Sequence, residues 1–196
     1  MINENYYYVS PTDIKQLNYC KRFIFYMKCL NIPEQIKNRF KVQKGKELHE
    51  RKIIENKNYL RKRLAVLEKM INVEVYSKKH EIKGIIDELL FLEDNTCAII
   101  DYKYAKYENV IYDTYKTQMT MYALMCEETF NMLVPKTYLV FTLSDNYLYE
   151  LKISDKMREK VINDIEEYKK IVKGYFPTKT KHKKRCCDCF YKKICI

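Results

Sequence analysis

Two acidic residues and a lysine recur at a spacing that could cut a phosphodiester. Asp87 lies in the segment GIIDE (residues 84–88), and Asp101 and Lys103 in DYK (residues 101–103). GIIDE contains an Ile-Ile pair and DYK follows one (Ile99, Ile100), and side chains i and i+2 of a strand share a face, so Asp101 and Lys103 are expected side by side. An aspartate set among Ile and Leu is costly unless it is paired or metal-bound. Two carboxylates converging from adjacent strands make a site for a hard divalent cation, Mg2+ or Mn2+. A neighbouring ammonium would then stabilise charge on a phosphoryl group. His49, in GKELH, offers an imidazole that would favour Mn2+. Gln118 and Tyr122 are four apart on an expected helix and share its face, within reach of the lysine or a phosphate.

The second chemistry-bearing group is made of cysteines. There are eight, at positions 20, 29, 97, 126, 186, 187, 189 and 195, and four of them crowd the C-terminal stretch RCCDCFYKKIC. The sequence begins without a secretory signal, so a disulfide framework is not expected and ligation of a metal or cluster leads. A set of four thiolates suits an iron–sulfur cluster, and zinc would serve the same mechanical purpose. Cys29, Cys97 and Cys126 sit in apolar settings and read as small buried hydrophobes.

The elements that must position these groups follow from period and punctuation. SPTDIKQLNYC opens a helix, with Ser10 as cap and Pro11 at its first position. KRFIFYMKCL is expected to continue helically to Pro33, and residues 42–70 to form a long charged helix or two. The period then changes to strands at 71–77, 81–92 and 95–104, with Gly84 marking a bulge or a close approach. A helix is expected over 112–131, a hairpin turning at Ser-Asp-Asn, and a last helix over 155–173 ending at Gly174. The expectation is one domain, 1–196, with a helical part (1–70), a mixed α/β core (71–175) and a cysteine-rich tail (176–196).

The chain has 37 basic and 26 acidic residues, a net charge of +11, and 47% hydrophobic residues. That balance is globular, and an excess this basic points to a polyanionic partner, nucleic acid first. No apolar run approaches a membrane span, so a cytoplasmic location is expected. Lys183, Lys184 and Arg185, beside the tail cysteines, are candidate phosphate contacts. Tyr6, Tyr7 and Tyr8, or Tyr102, Tyr104 and Tyr107, could stack unpaired bases.

Taken together, His49, GIIDE with Asp87, Asp101-x-Lys103 and Gln118-x-x-x-Tyr122 resemble the PD-(D/E)XK nuclease superfamily in its RecB-like form. One cysteine near the start and Cys186-x-x-Cys189-x5-Cys195 at the end resemble the iron–sulfur members, and the short chain resembles the CRISPR-associated RecB-like exonucleases. The resemblance implies a restriction-endonuclease-like core whose N-terminal helical region and cysteine tail are joined by a 4Fe–4S cluster on Cys20, Cys186, Cys189 and Cys195. Cys187 leaves open which of two adjacent thiols takes part. It implies Mn2+ or Mg2+ on His49, Asp87, Asp101 and the Tyr102 carbonyl, with Lys103 catalytic and Gln118 and Tyr122 positioning. The implied activity is exonucleolytic, on single-stranded DNA, 5′-to-3′, processing prespacers and selecting protospacer-adjacent motifs with a CRISPR integrase complex as partner and self-assembly as a further outcome. Two alternatives stay open: a non-catalytic DNA-end-binding subunit of an integration complex, and a viral or plasmid recombination nuclease.

Overall fold

The structure is a computed structural model that describes residues 8–33, 62–187 and 189–195. His49, Tyr6, Tyr7 and most of the helix expected over 42–70 lie outside the described residues.

Helix α1 spans Pro11–Tyr19 and is held by a full capping box: the Ser10 hydroxyl accepts from the Asp13 amide, and the Asp13 carboxylate accepts from the Ser10 amide. At Cys20 the backbone turns extended (φ −164°, ψ 120°), so the second helix is a separate short one, α2 (Lys21–Ile24), which runs into a π-helical turn, Phe25–Cys29. The single continuous helix expected to Pro33 is thus broken at the first of the candidate cluster cysteines.

Strand β1 covers Val66–Ser77, so residues 66–70, expected in a helix, are strand. Leu64, Leu67 and Ile71 happen to fall at helical spacing, which is why the pattern misleads. The structure instead ends a 3-10 turn at Leu64 (Lys62–Leu64) and puts Leu67 and Ile71 on the strand, with the Lys69 side chain buried 3.9 Å from Glu88. Among the described residues, β1 joins β2 (Ile82–Leu92), β3 (Cys97–Lys103), β4 (Lys136–Phe141) and β5 (Tyr147–Lys152) in one sheet, in that order. The pairings are antiparallel except β3 with β4, which is parallel. That parallel step requires a crossover, and it is made by helix α3, Asp113–Phe130. The β4–β5 hairpin is closed by the loop 142–146, whose last two residues, Asp145 and Asn146, are at left-handed φ (51° and 57°), residue types that tolerate it. Helix α4 (Asp155–Val172) is capped by Ser154 and stops before Gly174 at φ 106°.

Helices α1, α3 and α4 cover one face of the sheet. Ile14, Leu17, Ile86, Leu89, Ile99, Met119, Ala123, Val161 and Ile165 meet there in one apolar core. A fork of Arg158 on the Glu127 carboxylate ties α4 to α3 (Nη1 at 2.5 Å and Nη2 at 2.9 Å). Leu90, Leu92, Ala98, Ile100, Tyr102, Tyr138 and Val140 form a second cluster on the other face. No helix among the described residues is long and apolar enough to cross a membrane.

Candidate active site and cysteine cluster

Asp87 sits where β2 changes faces. Before it, Ile82 and Ile86 point into the core under α3. After it the alternation inverts: Leu89 joins that core, while Leu90 and Leu92 line the opposite cluster. Asn72, across from Asp87 in the β1 register, takes φ 52°, the backbone irregularity that accompanies the inversion. The β2–β3 ladder also stops here, its last pair being Glu88 with Ile100. Past that pair the Tyr102 amide donates to the Asp87 carboxylate at 2.9 Å rather than to β2 backbone. The strands part, and the gap is lined by carboxylates.

Asp101 and Lys103 share the α3-facing side of β3, as the strand period predicts. The Lys103 ammonium lies 2.5 Å from Asp101 Oδ2 and 2.6 Å from Gln118 Oε1. The Gln118 amide turns its other end to Asp101 Oδ1 and to the Tyr122 hydroxyl, donating to each at 3.1 Å. One amide side chain thus holds an acid, a base and a phenol in a fixed order. The Tyr122 phenol is pushed well above its ordinary range by burial, and further by the negative charges of Asp101 and Asp87.

Tyr122 can stand there because Gly84 has no side chain. A Cβ at Gly84 would come within 2.9 Å of the Tyr122 ring and 3.1 Å of the Met125 methyl. The close approach expected at Gly84 is real, and the strand carries no bulge at this point. The sequence reading missed Tyr115, whose ring lies 4.8 Å from the Lys103 ammonium. It is three residues before Gln118 on the same helix face, a spacing that could have found it.

Oxygen donors from Asp87 and Asp101 suit a hard divalent cation in chemical type. Among the described residues no group of three or more His, Cys, Asp or Glu side chains is drawn together as a metal site. His49 lies outside them, so the two carboxylates are the part of the ligand set that this geometry tests.

The chain ends meet. Tyr191 stacks on Tyr26 (centroids 5.2 Å) and packs edge-on against Phe23 (4.9 Å), with Cys20, Cys189 and Cys195 against the same cluster. The Tyr191 hydroxyl donates to the Ile32 carbonyl at 2.6 Å and Tyr26 to Ile194 at 3.2 Å. The Cys189 thiol is raised above its ordinary range by burial first, and by the neighbouring Cys20, Cys186 and Cys195 thiols. These are the four cysteines that the resemblance assigns to a cluster, and among the described residues they are not drawn together as a metal site. Cys187, on the short helix α5 (Lys184–Cys187), is exposed and directs its thiol to the Lys183 carbonyl at 3.9 Å.

Lys183 and Lys184 are exposed, in keeping with a phosphate contact. Arg185 is engaged elsewhere: its Nη1 donates to the carbonyls of Asn18 and Tyr19, both at 2.8 Å, capping the end of α1. Tyr102 is likewise unsuited to stacking bases, since it is buried and its hydroxyl donates to Glu88 at 2.7 Å.

Comparison with known proteins agrees with this architecture. The model of the PD-(D/E)XK nuclease superfamily matches residues 31–196. The CRISPR-associated exonuclease Cas4 of Francisella tularensis subsp. novicida is 26% identical over 185 residues, 93% of this chain and 90% of that protein. The crystal structure of SSO0001 superposes with a TM-score of 0.63 at 15% identity, covering 100% of this chain and 88% of the other. A candidate exonuclease from Eubacterium rectale gives 0.58 at 12% identity, covering 99% and 92%. The two solved structures speak for the fold, and the family match spans the sheet, the acidic gap and the cysteine tail: this chain belongs to the PD-(D/E)XK nuclease superfamily.

Proposed function

We propose that the protein is a metal-dependent deoxyribonuclease that degrades single-stranded DNA from an end, 5′-to-3′, in CRISPR adaptation. It would trim prespacers and select protospacer-adjacent motifs beside an integrase complex. The observation that carries the reading is the Lys103 ammonium, held between Asp101 and Gln118 on the strand whose Tyr102 amide donates to the Asp87 carboxylate. The similarity to a CRISPR-associated exonuclease over 93% of the chain supports the biological setting.

In this reading Asp87, Asp101, the Tyr102 carbonyl and His49 would hold Mn2+ or Mg2+. When bound, the metal supplies a water of lowered pKa and neutralises phosphate charge. Lys103 brings a fixed positive charge to the phosphoryl oxygens, where charge builds during in-line attack. Gln118 keeps that ammonium from swinging to solvent by holding both it and Asp101. Tyr122 stays protonated at neutral pH and so keeps a hydrogen to donate to a carboxylate or phosphate oxygen. Lys183 and Lys184 add a salt-sensitive contact to the DNA backbone. The whole chain acts as one nuclease domain, and the ends that meet at Cys20, Cys186, Cys189 and Cys195 would carry a structural 4Fe–4S cluster.

The test is cleavage of end-labelled single-stranded DNA with Mn2+ after anaerobic purification, wild type against Asp101→Ala. Wild-type cleavage lost in the variant supports the reading, and the label reports polarity. Binding without cleavage by either protein overturns it in favour of a DNA-end-binding subunit.

A further inference from the structure

A series of ring contacts leads from Lys103 through the buried Phe141 to the β4–β5 hairpin. Lys103 lies 4.8 Å from the Tyr115 ring, Tyr115 packs on Phe141 at 6.2 Å, and Phe141 on Tyr107 at 5.2 Å. Tyr107 then stacks on Tyr147, with centroids 4.5 Å apart and planes 17° from parallel. Tyr112 stands edge-on to Tyr115 at 5.8 Å, its hydroxyl donating to Glu108.

The outer members of the series are open. Tyr147 is 45% exposed and Tyr112 is 52% exposed. Because Tyr107 covers one face of the Tyr147 ring, the exposed area of Tyr147 is its other face and edge. The ring is held still as well: it is the first residue of β5, directly after the turn of Asp145 and Asn146, and Tyr149 supports Tyr107 from the side (5.8 Å).

The charges around it select the occupant. Lys106 is exposed nearby, and Lys116 pairs with Asp113 at 3.4 Å. Glu108 and Asp145 are exposed beside the same rings. The mixture does not suit a duplex lying with its phosphates against the rings. It suits neutral π-faces, which only unpaired bases present.

We propose that Tyr147, backed by Tyr107, and Tyr112 form a base-stacking platform for an unpaired strand whose end reaches the Lys103 site. The identification of the Lys103 end as the cutting end rests on the nuclease reading above. The platform would read a strand by whether it is unpaired, not by its sequence, because every base has a face to stack.

The experiment measures binding, in EDTA so that no strand is cut, to a single-stranded oligonucleotide carrying 2-aminopurine a few nucleotides from one end, and to the same oligonucleotide with an abasic site there. The wild type should quench the 2-aminopurine fluorescence. Tyr147→Ala and Tyr112→Ala should each weaken binding roughly 5- to 150-fold, the range for losing one aromatic–base stack. Tyr147→Phe, which keeps the ring, should bind as the wild type does. On the abasic strand the wild type should fall to the level of Tyr147→Ala, and that variant should not lose more. Equal losses on base-containing and abasic strands overturn the platform, as does weakening of Tyr147→Phe to the level of Tyr147→Ala. A separate Mn2+ cleavage assay keeps the two ideas apart. Wild type that cuts no DNA while the abasic difference persists sinks the nuclease reading alone; full cleavage with unaltered Tyr147→Ala binding sinks the platform alone.

Discussion

The Asp87 carboxylate takes the place of a strand: it accepts the Tyr102 amide at 2.9 Å just where the β2–β3 ladder ends. Asp87 therefore has a structural duty and a chemical one, and substitution can separate them. Asp87→Asn keeps an oxygen for the Tyr102 amide but loses the charge. It should unfold near the wild-type temperature yet lose DNA cleavage. Asp87→Ala should lose both, with stability falling by about 1–3 kcal/mol for a partly buried donor left unsatisfied. Thermal melts run beside a cleavage assay check this, and a strongly destabilised Asp87→Asn would refute the division.

Gln118 touches Lys103, Asp101 and Tyr122 at once, so its removal should act through Lys103. Hydrogen bonds to charged groups contribute about 1.5–3 kcal/mol each. Gln118→Ala should thus lower kcat by roughly 10- to 150-fold with little change in KM. Lys103→Ala should lose about 100- to 1,000-fold or more, the scale for a group that stabilises transition-state charge. If the two variants lost activity mainly through KM, a positioning role for Gln118 would be untenable.

Gly84→Ala places a methyl 2.9 Å from the Tyr122 ring. Overpacking of this kind costs about 1–3 kcal/mol. For a chain of this size each kcal/mol lowers Tm by roughly 2–4 °C. Differential scanning calorimetry gives the shift. The companion change Tyr122→Leu should relieve part of it, since the clash is with that ring.

Adjacent cysteines in the tail are predicted to behave differently. Cys186 lies with Cys20, Cys189 and Cys195, whereas Cys187 faces the Lys183 carbonyl. Cys186→Ala should lose the visible absorbance of the anaerobically purified protein and much of its soluble yield. Cys187→Ala should keep both. The reverse outcome would assign the ligand to Cys187.

Stability should fall on the alkaline side. Burial pushes the Cys97 thiol from 9.0 up to about 11, and the buried Cys126 thiol moves the same way. A raised pKa means that the folded chain holds its proton more tightly than the unfolded one. The contribution is therefore complete below pH 9 and is lost as pH rises through about 11. Tm measured across that interval should drop, and Cys97→Ala should drop less over the same interval than the wild type.

What could be read in the one-dimensional order was local. The strand period put Asp101 and Lys103 on one face, the helical period put Gln118 with Tyr122, and Ser10, Pro11 and Asp13 marked the start of α1, because each of these depends on neighbours a few residues away. The same local reading took residues 66–70 into the long charged helix expected over 42–70; pairing with β2 makes them strand. It also gave Arg185 to DNA, although the guanidinium is engaged by the Asn18 and Tyr19 carbonyls, 167 and 166 positions away.

By itself, then, the sequence determined the chemical parts of this protein: two acids, a lysine, a glutamine and four spaced thiols, with the periods that orient each on its own element. Only the tertiary structure decided how those parts meet. It set the inversion of β2 at Asp87, the fit of Tyr122 over Gly84 and the ring contacts from Tyr115 to Tyr147. These depend on sheet register and on packing between segments distant in the chain, which no local period encodes.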